Sequence, residues 1–211
     1  SGAINVGAVG NTLTGSSFSL NPISGSHSIA AVLAGSNINL TKTGSGTVIL
    51  SGANTYTGDT LISGGTLRTT GTLSSSTDVV MSNAAIWDLQ ATQTIASLTM
   101  ASGNSITRSA GTSSLTVSGT STIANSITTS GAQTYTGAVT LVGDTTLSTT
   151  NSAISLGTVN SEANNPHDLT VTTGSAGITV GNVGSGANGV LGSVSLTSGT
   201  AMTLNAVNAI G

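Results

Sequence analysis

The sequence predicts an all-β chain wound as a right-handed parallel β-helix of about ten coils. Three observations carry that reading. Apolar residues recur two apart in short bursts, each burst is bounded by Gly, Asn, Ser or Asp, and one glycine-rich segment returns later in the chain. A period of two puts one set of side chains on one side of a strand and the intervening Thr or Ser on the other. Residues that tolerate tight turns mark the strand ends.

Taken in order, the bursts are Ile38/Leu40, Val48/Leu50, Leu98/Met100, Leu115/Val117, Val139/Leu141, Ile154/Leu156, Leu169/Val171, Ile178/Val180, Val194/Leu196 and Met202/Leu204. Helical spacing is sustained nowhere, and the helix formers Glu, Lys, Gln and Arg are nearly missing. Short strands suit a sandwich, a barrel or a solenoid, and the repeat separates them. "SGANTYTGDTLISGGTL" at 51–67 returns in part as "SGAQTYTGAVTLVGDTTL" at 130–147, with Tyr135 standing 79 residues after Tyr56. Self-similarity of this kind signals stacked units; at roughly 20 residues per coil the offset is about four coils. Ten rungs at ~4.8 Å each make a rod on the order of 50 Å. The whole chain, 1–211, reads as one solenoid segment, with a loop leaving it at 160–168.

Composition agrees. Thr (38), Ser (34), Gly (29) and Asn (17) exceed half of the 211 residues, while charged residues are 4%. Such a chain would be a disordered linker if β-branched residues were scarce and net charge high. Here Ile, Val and Thr are abundant and the net charge is −3. A coil hydrates its outer side with Thr and Ser, keeping β propensity without charge, and Gly and Asn turn its corners.

The same counts exclude partners. Lys42, Arg68 and Arg108 are too few and too scattered for a phosphate backbone, so nucleic acid is not expected. The longest apolar run, "IAAVLA" at 29–34, is far short of a membrane span. Cysteine is absent, which excludes disulfides and thiolate metal sites and fits an exported bacterial protein. The chain begins at Ser1 without a leader, which reads as a processed form or an excised fragment. Both "GAINVGAVG" and "AMTLNAVNAIG" look like ordinary coils with no cap, so end-to-end self-association into a filament is the alternative to a simple stalk.

"LTKTGSGTVILSGANTYTGDTLISGGTL", Leu40 to Leu67, resembles the autotransporter-associated β-strand repeat of Gram-negative passenger domains and related large adhesins. Lys42, Gly44, Gly46, Val48, Leu50, Gly52, Asn54, Tyr56, Gly58, Thr60, Ile62, Gly65 and Leu67 fall on the family pattern in register. Asp59, usually Gly there, and the apolar Leu61 depart from it. The resemblance covers 28 residues. It implies a secreted or outer-membrane-anchored adhesive β-helix, serving as rigid stalk and contact surface for host, matrix or neighbouring-cell protein or glycan. The remainder is similar in style to filamentous-haemagglutinin-type exoproteins.

Candidate sites are weighed against structural roles. Tyr56 and Tyr135, and Trp87 beside Asp88, would stack on sugar if exposed, but each reads first as a core or corner filler. Asp59, Asp78, Asp88, Asp144, Glu162 and Asp168 sit mostly at turn signals, where Asp caps its own backbone. A polysaccharide-cleaving enzyme would need several of them converging in a groove, so no catalytic site is expected. His27 and His167 are too distant to share a metal, Gly-Gly-x-Gly-x-Asp calcium nonapeptides are absent, and no metal or cofactor is expected. The Thr-x-Thr pairs 12/14, 55/57, 134/136 and 170/172 would suit an ice-binding face only at constant coil spacing, and their intervals are irregular. The remaining candidate is the polar stretch "NSEANNPHDL", whose Glu162, Asn164, Asn165, His167 and Asp168 form a candidate contact loop, since loops on repetitive scaffolds carry recognition.

Overall fold

The computed structural model describes residues 11–185 and 189–208. The described residues are all-β, with no helix, and every strand pairing is parallel. Strands of one coil lie against the same strands of the next, so the chain is a β-solenoid with three faces. The first face carries Phe18–Leu20, Leu40–Lys42, Thr60–Ile62, Asp78–Met81 and Ser97–Met100. The second carries Ser26–Ile29, Thr47–Leu50, Thr66–Thr69, Ile86–Leu89 and Ser105–Thr107. Ser121–Thr129 and Val139–Thr149 each run through both. The third face holds Thr12–Thr14, Val32–Ala34, Gln93–Ile95, Leu115–Val117, Gln133–Tyr135 and Ile154–Leu156.

One ladder on the first face runs Phe18, Leu40, Thr60, Val79, Leu98, Ser121, Val139, Val159, Val183 and Val207, which is ten rungs. From Thr60 to Val139 are four steps of it, so the 79-residue offset of the tyrosines is four coils, as the repeat implied. Along this ladder coils vary from 18 residues (Ser121 to Val139) to 24 (Val159 to Val183), and on the second face Leu169 to Val194 takes 25. The corners absorb the difference, and the faces stay in register. Gly65 shows why corners take glycine. Its φ is +57°, and a Cβ there would lie 2.5 Å from the carbonyl oxygens of both Gly44 and Gly46 on the coil below.

Inward residues fill the lumen in alternation, as the buried–intermediate–buried pattern of Leu40–Lys42, Leu115–Val117 and Ile154–Leu156 shows. Most of the apolar pairs sit on strands as expected. Ile38 does not: it precedes its strand, at a corner beneath Gly58, whose N–H donates to the Ile38 carbonyl. Met202 and Leu204 lie on a strand but stay substantially exposed, on the last described rung. The segment 2–10 lies outside the described residues. In the middle coils the third face is a sheet only in part, with Ala53 bridging Thr72. Buried amides take over there. Asn54 accepts from the Leu33 N–H of the coil below and donates to the Thr72 carbonyl of the coil above. Gln93 accepts from Leu73 N–H and donates to the Gly71 carbonyl. Each amide satisfies backbone groups that burial would otherwise strand.

The four Thr-x-Thr pairs singled out above form no single array. Of the pairs singled out above, 12/14, 55/57 and 134/136 belong to the third face and only 170/172 to the second. On the second face, however, five successive coils present outward pairs in register: Ser105/Thr107, Ser126/Thr128, Thr146/Ser148, Thr170/Thr172 and Ser195/Thr197. Corners of unequal length make this array hard to see in sequence and leave it intact in space.

Candidate functional site

Val159–Ser161 is the outgoing first-face strand, so the excursion starts at Glu162, two residues later than the sequence suggested, and ends before Leu169. Ser161 pairs with Leu141 and Leu169 with Thr145. The corner therefore spans seven residues above a coil that uses three, and the extra chain projects. Asn164 takes a left-handed turn, with φ of 60°, a conformation Asn tolerates. The Asn165 N–H donates to the Glu162 carbonyl, and the His167 N–H donates to Ser161 Oγ at 2.9 Å, closing the loop on itself.

The loop gathers charge in an almost uncharged rod. Glu162 Oε1 accepts from Asn165 Nδ2 at 2.6 Å and lies 3.3 Å from His167 Nε2. His167 Nδ1 stands 3.8 Å from Asp144 Oδ1 of the coil below, and the same Asp144 oxygen accepts the Asp168 N–H at 3.0 Å. Asp144 thus caps the backbone of the next coil and not its own, which corrects the turn-capping expectation. Glu162, His167 and Asp168 come together with Asp144; Asn164 is exposed at the tip. The participation of Asp144 was legible only as a one-coil offset from Asp168. Among the described residues no group of three or more His, Cys, Asp or Glu is placed to hold a metal ion.

Hydrogen bonds from Asn165 and His167 hold the Glu162 carboxyl below its usual 4.5. A carboxyl lowered on folding stabilises the folded loop fully above its ordinary pKa, and that contribution is lost as pH falls through the lowered value. Carboxyl NMR is expected to show Glu162 titrating below 4.5, with the protection factors of the Asn165, His167 and Asp168 amides falling in acid. A midpoint at or above 4.5 would show that these bonds do not form in solution.

The other candidates are structural. Tyr56 is fully buried, with its hydroxyl 2.7 Å from Thr60 Oγ1, and burial pushes its phenol up to about 12. Tyr135 is buried and donates to Gln133 Oε1 at 3.1 Å. Both stand four residues before a first-face rung, Thr60 and Val139, so their equivalence holds. Trp87 is fully buried on the second-face ladder between Leu67 and Ile106, with Nε1 donating to Thr69 Oγ1. Asp88 points outward but is 2% exposed. Burial works to raise its carboxyl, yet bonds from the Ser109 hydroxyl and N–H, Arg68 Nε and Gln90 outweigh this and hold it below the usual range. No aromatic side chain is left to stack on a sugar: Phe18, too, is buried, edge-on against Tyr56.

The segment from Leu40 to Arg68 holds a feature the sequence reading passed over. Lys42 follows Leu40 at the same parity and therefore points inward, where it is fully buried. Its Nζ donates to the carbonyls of Thr43 and Gly44 at 2.9 Å each and of Gly64 at 2.8 Å. One ammonium thus ties the corner of its own coil to the corner of the next, opposite the constrained Gly65. With Asn54 and Tyr56, it gives two coils their inner polar framework. Residues 40–68 match the model of the passenger-associated-transport-repeat family. This segment fits an autotransporter passenger β-helix repeat. It accounts for 29 of the 211 residues. No curated protein and no solved structure matches the chain. Within the matched segment, Gly65, Lys42 and Asn54 close corners and join coils.

Proposed function

We propose that the chain is a non-enzymatic segment of a surface-displayed or secreted bacterial protein. It would serve as a rigid stalk and as a contact surface for host, matrix or neighbouring-cell protein or glycan. The observation that supports this is a match to a passenger repeat within a solenoid whose described strands all pair in parallel. Stacking of that kind gives a stiff rod that presents whatever its loops carry. The corner at Glu162–Asp168 is the contact point we favour, because it projects and concentrates the polar chemistry.

Its carboxylates argue against catalysis. A general acid needs a raised pKa in a sheltered groove. Glu162 is lowered, the Asp144 side chain is 76% exposed, and the depressions lined by Ser19–Ile29 and by Ala53–Thr55 with Thr72–Ser75 lie elsewhere.

The test replaces residues 162–168 with Val-Gly-Asp, the sequence of the corner below. The shortened corner keeps the strand register, so circular dichroism should be unchanged. Binding of the full chain to arrays of matrix proteins, glycans and cell layers is expected to fall at least tenfold in the variant. Equal binding by both proteins would remove the loop from the contact surface.

A further inference from the structure

We propose that the outward side of the second face binds an ordered water lattice, the surface of ice. The inference rests on the contact-surface reading for its exposure outside the cell, and it names a partner for a different part of the rod. The face carries the five hydroxyl pairs described above. Between Ser126 and Thr197 the register runs without a shift, because the one irregularity, at Ile123/Asn125, falls at the corner before the array. Rungs stand ~4.8 Å apart, and the two columns roughly 6.6 Å apart, from a rise of ~3.3 Å per residue. Hexagonal ice presents rows of oxygens whose repeats fall in the same range in both directions. Thr methyls between the hydroxyls leave water little freedom to arrange itself otherwise. Neighbouring hydroxyls also orient one another, with Thr128 Oγ1 and Ser148 Oγ 3.0 Å apart.

The chemistry of the face favours this occupant over a glycan. Its five pairs carry no charge, Asp144 and Asp168 standing at the corner two residues before Thr146 and Thr170, and every Phe, Tyr and Trp side chain of the protein is buried. Sugar recognition relies on stacking and on fixed bidentate donors or acceptors, and neither is present. What remains is an uncharged, doubly periodic set of hydroxyl pairs, which a periodic, uncharged partner fits. One coil before the array the two columns carry Ile86 and Asp88, and Arg68, paired with Asp88, stands a further coil back.

Ice growth in the presence of the full chain tests it. Single crystals are expected to become faceted and to stop growing within a measurable gap below the melting point. Thr172→Lys, at the middle of the array, should abolish both effects, and Thr128→Tyr provides a second lesion should the first not fold. Thr99→Lys, exposed on the first face, should leave both intact. Round, freely growing crystals with the unmodified chain would overturn the proposal. So would equal loss in the Thr99 variant, or retention of insoluble chitin or glucan without any effect on ice. If ice is unaffected while cells and matrix are still bound, this inference fails and the contact-surface reading stands.

Discussion

Replacing Lys42 with Met is expected to destabilise the coils around the passenger repeat by about 1–3 kcal/mol, since three half-buried carbonyls lose a charged donor and hydrogen bonds to charged groups contribute roughly 1.5–3 kcal/mol. The opposite outcome has a physical basis that must be weighed. Burial pushes the Lys42 ammonium below its usual pKa, and exchanging a buried charge for an apolar group is often neutral or stabilising. That relief arises when both partners of a pair become apolar. Here the partners are the carbonyls of Thr43, Gly44 and Gly64, which stay polar and stay at the corner whatever replaces the lysine. Met nearly conserves the volume, so the loss reports hydrogen bonding and not a cavity. In a solenoid the damage is local. Amide exchange should therefore accelerate first at Thr43 and Ser63, whose N–H groups join this rung to the carbonyls of Leu20 and Lys42. An unchanged melting temperature, with unchanged protection at those amides, would show that water replaces the ammonium at little cost.

Trp87→Ala is expected to cost about 3–5 kcal/mol, the range for removing a large buried aromatic from a core that cannot collapse around the void. Collapse is restricted here because the rungs above and below, Leu67 and Ile106, are fixed by the backbone ladder. The Thr69 hydroxyl also loses its donor, Trp87 Nε1 at 3.1 Å. Trp87→Phe should recover most of the loss. Thermal melting followed by circular dichroism reads both variants. The emission of this sole tryptophan in the unmodified protein should be that of an indole shielded from water until the coil opens. A loss under about 1 kcal/mol would mean the coil relaxes more than rigid stacking allows.

Much of the fold was legible because a solenoid writes its geometry locally. Alternation in Leu115/Val117 or Ile154/Leu156 states which side is inward, and each coil repeats the statement. The 79-residue return of Tyr-Thr-Gly gave the coil count without any alignment of single coils. Less of the candidate site was legible. Glu162, His167 and Asp168 are close in sequence and stood out as a polar run. Asp144 joins them only because the corner below is short enough to bring Thr145 under Leu169. The inward lysine was also readable in principle: Lys42 shares the parity of Leu40, and its charge obscured the pattern.

By itself the sequence determined that this protein is a β-solenoid of about ten coils, because period-two alternation and turn residues are set by neighbours along the chain. It also carried the resemblance of Leu40–Leu67 to a passenger repeat, which the family match over 40–68 supports. The tertiary structure alone decided which hydroxyls form one surface, that Lys42 is buried among corner carbonyls, and which carboxylates meet at the loop. The reason is the corners. Coils of 18 and of 24 residues close to the same cross-section, so residues that become neighbours across rungs lie at offsets that no fixed period along the chain records.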